Sequence, residues 1–142
     1  MQKTHLECRE CKKEYDPTFK YICDECFGPL DVHYNFPSLT KNTFVNREQT
    51  YWRYFELLPI TDKSNIVSIN AGMTPLVKAE KLGKVIGLNN LYIKNDSVNP
   101  TFSFKDRPAG VAVSKAKEFG LASVGCASTG NLASATAAHA AK

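Results

Sequence analysis

This 142-residue chain contains no apolar run near the roughly 20 residues that a membrane-crossing helix needs. Its first residues are polar and lead to Cys8, so the hydrophobic centre of a signal peptide is missing as well. Low-complexity tracts and repeats of useful period are absent. Histidine is scarce and scattered. His5, His33 and His139 lie in three separate segments, each expected to be structural or solvated, with His5 or His33 an outside candidate for metal ligation. What remains, 43% hydrophobic and 23% charged, is the composition of a soluble globular chain. The expectation is a cytoplasmic protein with no membrane partner.

Cysteine is the first positive signal. Four of the five cysteines form two Cys-x-x-Cys pairs, Cys8/Cys11 and Cys23/Cys26, with Gly28 just after the second. Without an export signal such pairs point to reduced thiols and metal rather than disulfides. Each pair suits a knuckle offering two thiolates to one tetrahedral zinc, and a site filled by four cysteines keeps no open position, so its role is structural. The stretch between, with Tyr15, Phe19, Tyr21 and Ile22, suits a short hairpin. Four free core thiols or a redox pair are the other readings. The spacing predicts a zinc-ribbon-like module over residues 1–36.

Charge divides at the same place. Residues 1–36 hold five Lys/Arg against seven Asp/Glu, a net of −2, the wrong sign for a phosphate backbone. Residues 37–142 hold thirteen against seven, a net of +6. No nucleic-acid partner is expected. The positive half suits a small anionic cofactor and a phosphorylated substrate, or is an ordinary lysine-decorated surface.

Chemistry concentrates near Lys105, in Ser103-Phe104-Lys105-Asp106-Arg107. Asp106 opens a helical pattern through Ala109, Ala112, Val113, Ala116 and Phe119, with Pro108 in the first turn and Gly120 as the stop. Lys105 therefore falls at the positive end of a helix. A lysine amine attacks an aldehyde only when neutral, and its ordinary pKa is roughly 10.4. Apolar cover from Phe102 and Phe104, together with the helix end, would lower that value. The bland alternative is a solvated lysine heading an amphipathic helix. Ala122–Ala127 reads as a short buried strand, and Ser128-Thr129-Gly130-Asn131 as a turn into an alanine-rich helix. Such a turn presents amides and hydroxyls to an anion, with Thr129 or Asn131 as a plain N-cap in the alternative. The strand–helix alternation predicts a parallel α/β sheet.

Taken together, several segments carry a family resemblance. Asn99-Pro100-Thr101 introduces the lysine segment, and Asn131 follows Lys105 by 26 positions. Gly72-Met73-Thr74-Pro75-Leu76 is read as a turn into a helix of Leu76, Ala79, Leu82 and Ile86 stopped by Gly87, followed by a strand at Leu91-Tyr92-Ile93. Trp52-Arg53-Tyr54, followed by Leu57-Leu58-Pro59, forms a dense apolar block. In this order they resemble the fold-type II pyridoxal 5'-phosphate enzymes, and the threonine synthases in particular, over nearly the whole chain.

That resemblance implies a tryptophan synthase beta-like domain whose first part is residues 37–142, and a longer enzyme whose later glycine-rich cup receives the cofactor phosphate. The chain alone would hold the lysine without closing the site. The resemblance implies Lys105 as the catalytic residue and cofactor anchor, with Asn131 and Phe104 also at the cofactor. Ser128, Thr129, Gly130 and Ser103 would meet the substrate, and Cys8, Cys11, Cys23 and Cys26 would hold zinc. The implied activity is that of a carbon–oxygen lyase of threonine biosynthesis, acting on the phosphate ester O-phospho-L-homoserine with water to give L-threonine and phosphate. The implied assembly is a homodimer. Cysteate synthase, a threonine dehydratase-like lyase, or a non-catalytic zinc-ribbon homologue are the alternatives. Three positions depart from the family pattern: Ala71, Phe102 and Pro108. Phe102 stands where glycine is common and predicts either a costly backbone angle or a shifted loop.

Overall fold

The computed structural model describes residues 3–142. It is a mixed α/β arrangement of two small antiparallel sheets and four α-helices. β1 (Lys3–Cys8) lies between β2 (Glu14–Tyr15) and β3 (Leu30–Asn35). Period-two alternation shapes β1: Thr4, Leu6 and Cys8 are buried, while His5 and Glu7 point the other way. The hairpin expected between the cysteine pairs takes a different form. Tyr15 pairs with Leu6 of β1, and Ile22 makes a single bridge to Pro29.

After α1 (Lys41–Val45), a 3₁₀ segment over Tyr51–Leu57 buries Tyr51 and Trp52. These two, with Ile60 and Ala71, form the core, and Phe55, Leu58, Ile66 and Val111 pack against it. The apolar block around Trp52 is thus a core segment. Arg47 reaches Glu56 through its two terminal guanidinium nitrogens at 2.6 and 2.7 Å and clamps α1 to this segment.

The second sheet pairs β4 (Leu76–Lys78) with β5 (Tyr92–Lys94), antiparallel, Val77 opposite Ile93. Between them runs α2 (Glu80–Ile86), ended by Gly87 in the left-handed conformation. The helix expected from Leu76 therefore begins only at Glu80, because Leu76, Val77 and Lys78 find ladder partners in β5. Both sheets are antiparallel, and no parallel pairing occurs among the described residues. Ala122–Ala127 is not a strand. It is exposed throughout, and among the described residues no neighbour takes its backbone hydrogen bonds, without which an extended run earns no ladder.

α3 (Asp106–Glu118) is the helix read from the spacing, with Gly120 at φ 69° just beyond it. Its buried face is Asp106, Ala109, Gly110, Val113, Ser114 and Ala116, whereas the expected Ala112 is exposed. Ser114 Oγ accepts from the Val67 amide at 2.9 Å and donates to the Gly110 carbonyl at 2.7 Å. Glu118 accepts from the Thr61 and Asp62 amides at 2.8 and 3.1 Å. α3 therefore holds the 61–67 segment along its length. α4 (Asn131–Ala141) packs on α3 through Ala135 and His139. Gly110 permits this approach: a Cβ there would lie 2.2 Å from Tyr51 Oη and 2.7 Å from His139 Cε1. A cavity of about 210 Å³ separates the first sheet from α3 and is lined by Leu6, Phe19, Val32, Pro59 and Phe119.

Candidate functional site

The 99–107 loop is held from within. Asp106, the first residue of α3, is fully buried, and its carboxylate accepts from the Thr101 amide at 2.8 Å and the Thr101 hydroxyl at 2.9 Å. Ser103, also buried, accepts the Lys105 amide on its hydroxyl at 3.1 Å. These bonds place Lys105 at the N-cap position of α3 with φ −63°. The lysine is part-exposed, and its Nζ stands 4.8 Å from the centre of the Phe104 ring. Among the described residues no hydrogen bond or ion pair engages that amine. The expected apolar cover is not assembled: Phe102 is 80% exposed and Phe104 54%.

Phe102 takes the costly option. Its φ is 59°, in the left-handed region that glycine occupies freely. The flanking residues are fixed on either side of it, Thr101 by Asp106 and Ser103 by the Lys105 amide.

A second layer, not read from the sequence, ties this loop to the Gly72 turn. Arg107 donates to the Gly72 carbonyl at 2.6 Å, to Asp96 at 2.6 Å and to Thr74 Oγ1 at 3.2 Å. Thr74 in turn donates to Asp96 at 2.6 Å, and the Gly72 amide donates to the buried Asn99 side chain at 2.9 Å. The guanidinium, ahead of the Thr74 hydroxyl, holds the Asp96 carboxyl below the usual carboxylate range. Gly72 has φ 103°, and a Cβ there would meet Tyr51 Cβ at 2.8 Å and Arg107 Nη1 at 2.9 Å. The sequence marked the segments of this network, Gly-x-Thr-Pro-Leu, Asn99-Pro100-Thr101 and the Lys105 stretch, without showing that they meet. The partners lie 11 to 35 positions apart.

Behind Asp106 sits His139, fully buried, with its Nε2 3.8 Å from Asp106 Oδ1. Among the described residues neither imidazole nitrogen has a hydrogen-bond partner, nor has the nearby Tyr51 hydroxyl. Burial pushes the His139 pKa below its ordinary value against the opposing field of Asp106. In the sequence His139 is one of three scattered histidines; its placement against α3 is a tertiary fact.

The Ser128-Thr129-Gly130-Asn131 turn does precede a helix. Its N-cap is Gly130 rather than Thr129 or Asn131, because Gly130 takes a φ of −150° and ψ of −125° just outside the first helical residue. Ser128 Oγ accepts from the Gly130 amide at 3.3 Å. Thr129, Gly130 and Asn131 are exposed and Ser128 half-buried. Among the described residues no hydrogen bond joins this turn to Lys105.

The cysteines converge. The four sulfurs of Cys8, Cys11, Cys23 and Cys26 lie within 4.8 Å of one another, with Cys8–Cys26 at 3.4 Å and Cys11–Cys23 at 3.6 Å. A tetrahedral zinc with bonds of about 2.3 Å separates its sulfurs by about 3.8 Å, so the cluster fits that ion with little movement. Cys8 and Cys23 are buried, Cys11 and Cys26 exposed. The Tyr15 hydroxyl, 3.0 Å from Cys23 Sγ, is the main cause of a Cys23 pKa lowered to about 6, with the Cys26 backbone amide next. The backbone amide of Cys11 likewise draws Cys8 below its ordinary value. Those two thiols are thereby biased toward the thiolate that metals bind, whereas, against the backbone amides of Lys13 and Gly28, hydrogen bonds to neighbouring thiols raise Cys11 and Cys26. His5 and His33 lie elsewhere, on the outward face of the same sheet.

Residues 67–142, more than half of the chain, match the pyridoxal-phosphate dependent enzyme family, and the chain belongs to that family. The threonine synthase of Methanocaldococcus jannaschii is 43% identical over 140 residues, covering 95% of this chain and 34% of that protein. The threonine synthase of Methanosarcina acetivorans is 42% identical over 141 residues, 97% of this chain and 34% of that protein. That of Synechocystis is 46% identical over 93 residues, 65% of this chain and 24% of that protein. The chain thus spans about a third of the length of the first two relatives. No helix among the described residues is long and apolar enough to cross a membrane.

Proposed function

We propose that this chain is the amino-terminal part of a threonine synthase, in which pyridoxal phosphate serves the conversion of O-phospho-L-homoserine and water to L-threonine and phosphate. The observation that carries the reading is Lys105. Among the described residues its amine makes no hydrogen bond or ion pair, at the N-terminus of a 13-residue helix whose first turn is fixed by Asp106 and Arg107, in a chain with 43% identity to a curated threonine synthase over 95% of its length.

The donor set suits the cofactor. Lys105 supplies an amine for the aldehyde, Asn131 an amide for the ring hydroxyl, and Phe104 an aromatic face. The bound cofactor supplies an electron sink beside the substrate nitrogen. Lys105, once freed from the aldehyde, would carry protons at the α and β carbons. Ser128, Thr129 and the Gly130 amide would receive the substrate carboxylate, with Ser103 beside them. Fixing Lys105 through its own backbone amide, rather than its amine, leaves the nitrogen free to move between these tasks.

Residues 1–36 form a structural zinc-ribbon-like module and residues 37–142 the start of the catalytic domain. Leu76, Val77, Leu82, Val85, Ile86 and Ile93 are exposed on β4, α2 and β5, which supports further chain packing there and closing the site. A cytoplasmic homodimer acting on a small phosphorylated amino acid is the corresponding whole.

Two measurements test the reading. Borohydride reduction of the whole protein with pyridoxal phosphate, followed by peptide mapping, is expected to place the pyridoxyl label on Lys105. Label on another residue, or none, removes the assignment. Threonine should form from O-phospho-L-homoserine and cease in Lys105→Ala; formation of cysteate with sulfite instead would reassign the enzyme to cysteate synthesis.

A further inference from the structure

The two histidines of the first sheet are brought together by strand register. In the β1–β3 ladder His5 lies directly opposite His33, and Glu7 follows His5 by two residues on the same face. Thr4, Leu6 and Cys8 occupy the other, buried face, so this trio is separate from the cysteine cluster. One ligand atom from each of His5, Glu7 and His33 lies within 4.8 Å of the others. The imidazoles stack with centroids 5.3 Å apart at 26°, and His33 Nε2 is 3.8 Å from Glu7 Oε1. Among the described residues neither histidine makes a hydrogen bond.

We propose that His5, Glu7 and His33 form a second metal site, for a divalent first-row transition ion such as zinc, on the outward face of this sheet. Two imidazoles and a carboxylate are a donor set that zinc accepts, with water completing the tetrahedron. Tetrahedral bonds of about 2.0–2.2 Å require ligand atoms roughly 3.5 Å apart, so the three side chains have to draw somewhat closer than the 4.8 Å within which they now lie. The ligands sit on paired strands, which fixes their Cα positions better than a loop would. Surrounding charge favours a cation. Asp31 faces Glu7 across β3 and Glu14 faces it across β2. Asp31 is already engaged by Arg9 at 2.7 and 3.0 Å, which leaves Glu7 as the carboxylate ligand. Lys12 competes, its Nζ 3.4 Å from Glu7 Oε1, but it is 69% exposed and such a solvated pair yields at little cost.

The test compares metal content in the untagged, reduced full chain and its His5→Ala/His33→Ala double variant, each dialysed against zinc and counted by elemental analysis. The parent is expected to hold one ion more than the variant, and that difference is independent of what the cysteines hold. Glu7→Gln should weaken the extra ion by about tenfold or more. Equal metal content in parent and double variant overturns the proposal. Cobalt replacement gives a second reading: the ion lost with the histidines should carry no thiolate-to-cobalt charge-transfer band. Loss of that band in the double variant, with circular dichroism unchanged, would assign the ion to the cysteines and overturn the proposal too.

Discussion

Arg107 donates to the carbonyl of Gly72 at 2.6 Å, and this one bond joins the helix that carries Lys105 to a turn 35 positions earlier. The same guanidinium holds Asp96 and Thr74. Arg107→Lys keeps the charge but gives up the planar fork that reaches three acceptors at once. We expect a loss of about 2–3 kcal/mol in unfolding free energy, read by denaturant titration. Gly72→Ala should cost at least as much, because the added carbon meets Tyr51 and the backbone angle is hostile to alanine. A neutral result for either would mean that the turn and α3 are held by something else.

Phe102→Gly should stabilise the protein. Relief of a left-handed φ is worth roughly 1–2 kcal/mol, offset by the extra freedom that glycine adds to the unfolded chain, roughly 0.5–1 kcal/mol. The ring is exposed, so little packing is lost. A rise in stability of up to about 1 kcal/mol is expected, measured by chemical denaturation. A marked loss would show that the phenyl ring makes contacts that outweigh the strain.

His139 should make stability fall on mild acidification. Its folded pKa is lowered by burial, so below the ordinary value near 6.5 the unfolded chain takes up a proton that the folded one refuses. The stabilisation is complete above about pH 6.5 and is lost as pH falls toward the folded value, at no more than about 1.4 kcal/mol per pH unit. His139→Gln is expected to flatten the profile between pH 7 and 5 while lowering stability overall. An unchanged slope in the variant assigns the acid sensitivity to another group.

The four-cysteine cluster predicts a chelator effect confined to one part of the chain. Stripping metal from the reduced protein should render residues 3–35 protease-sensitive while α3 and α4 keep their protection, because the thiols, rather than a large core, close that sheet. Cys23→Ser should do the same without chelator. Uniform protection after complete metal removal would show the sheet to be self-sufficient.

Much of the site was legible because its signals are local. Helical spacing and Gly120 located α3 and placed Lys105 at its start. Cys-x-x-Cys repeats foretold the thiol cluster, since each pair needs only a tight turn. Phe102 in a glycine's place pointed to either a strained angle or a shifted loop, and the fold takes the strained angle. Ala122–Ala127 misled for an equally physical reason: an apolar run specifies the capacity for a strand, and only a neighbour supplying hydrogen bonds makes it one. The same competition turned Leu76–Lys78 from helix into strand once β5 was beside it.

By itself the sequence determined the spacing-dependent features: which residues could lie on one helix face, where chain reversals fall, and which groups are candidates for nucleophilic or metal-binding chemistry. Tertiary structure decided what those groups meet. His5 faces His33, Arg107 reaches Gly72, and His139 is sealed against Asp106, each across 28 or more positions. Contacts at such separation depend on register and packing, and a burial environment belongs to the folded molecule, with no local signature in the chain.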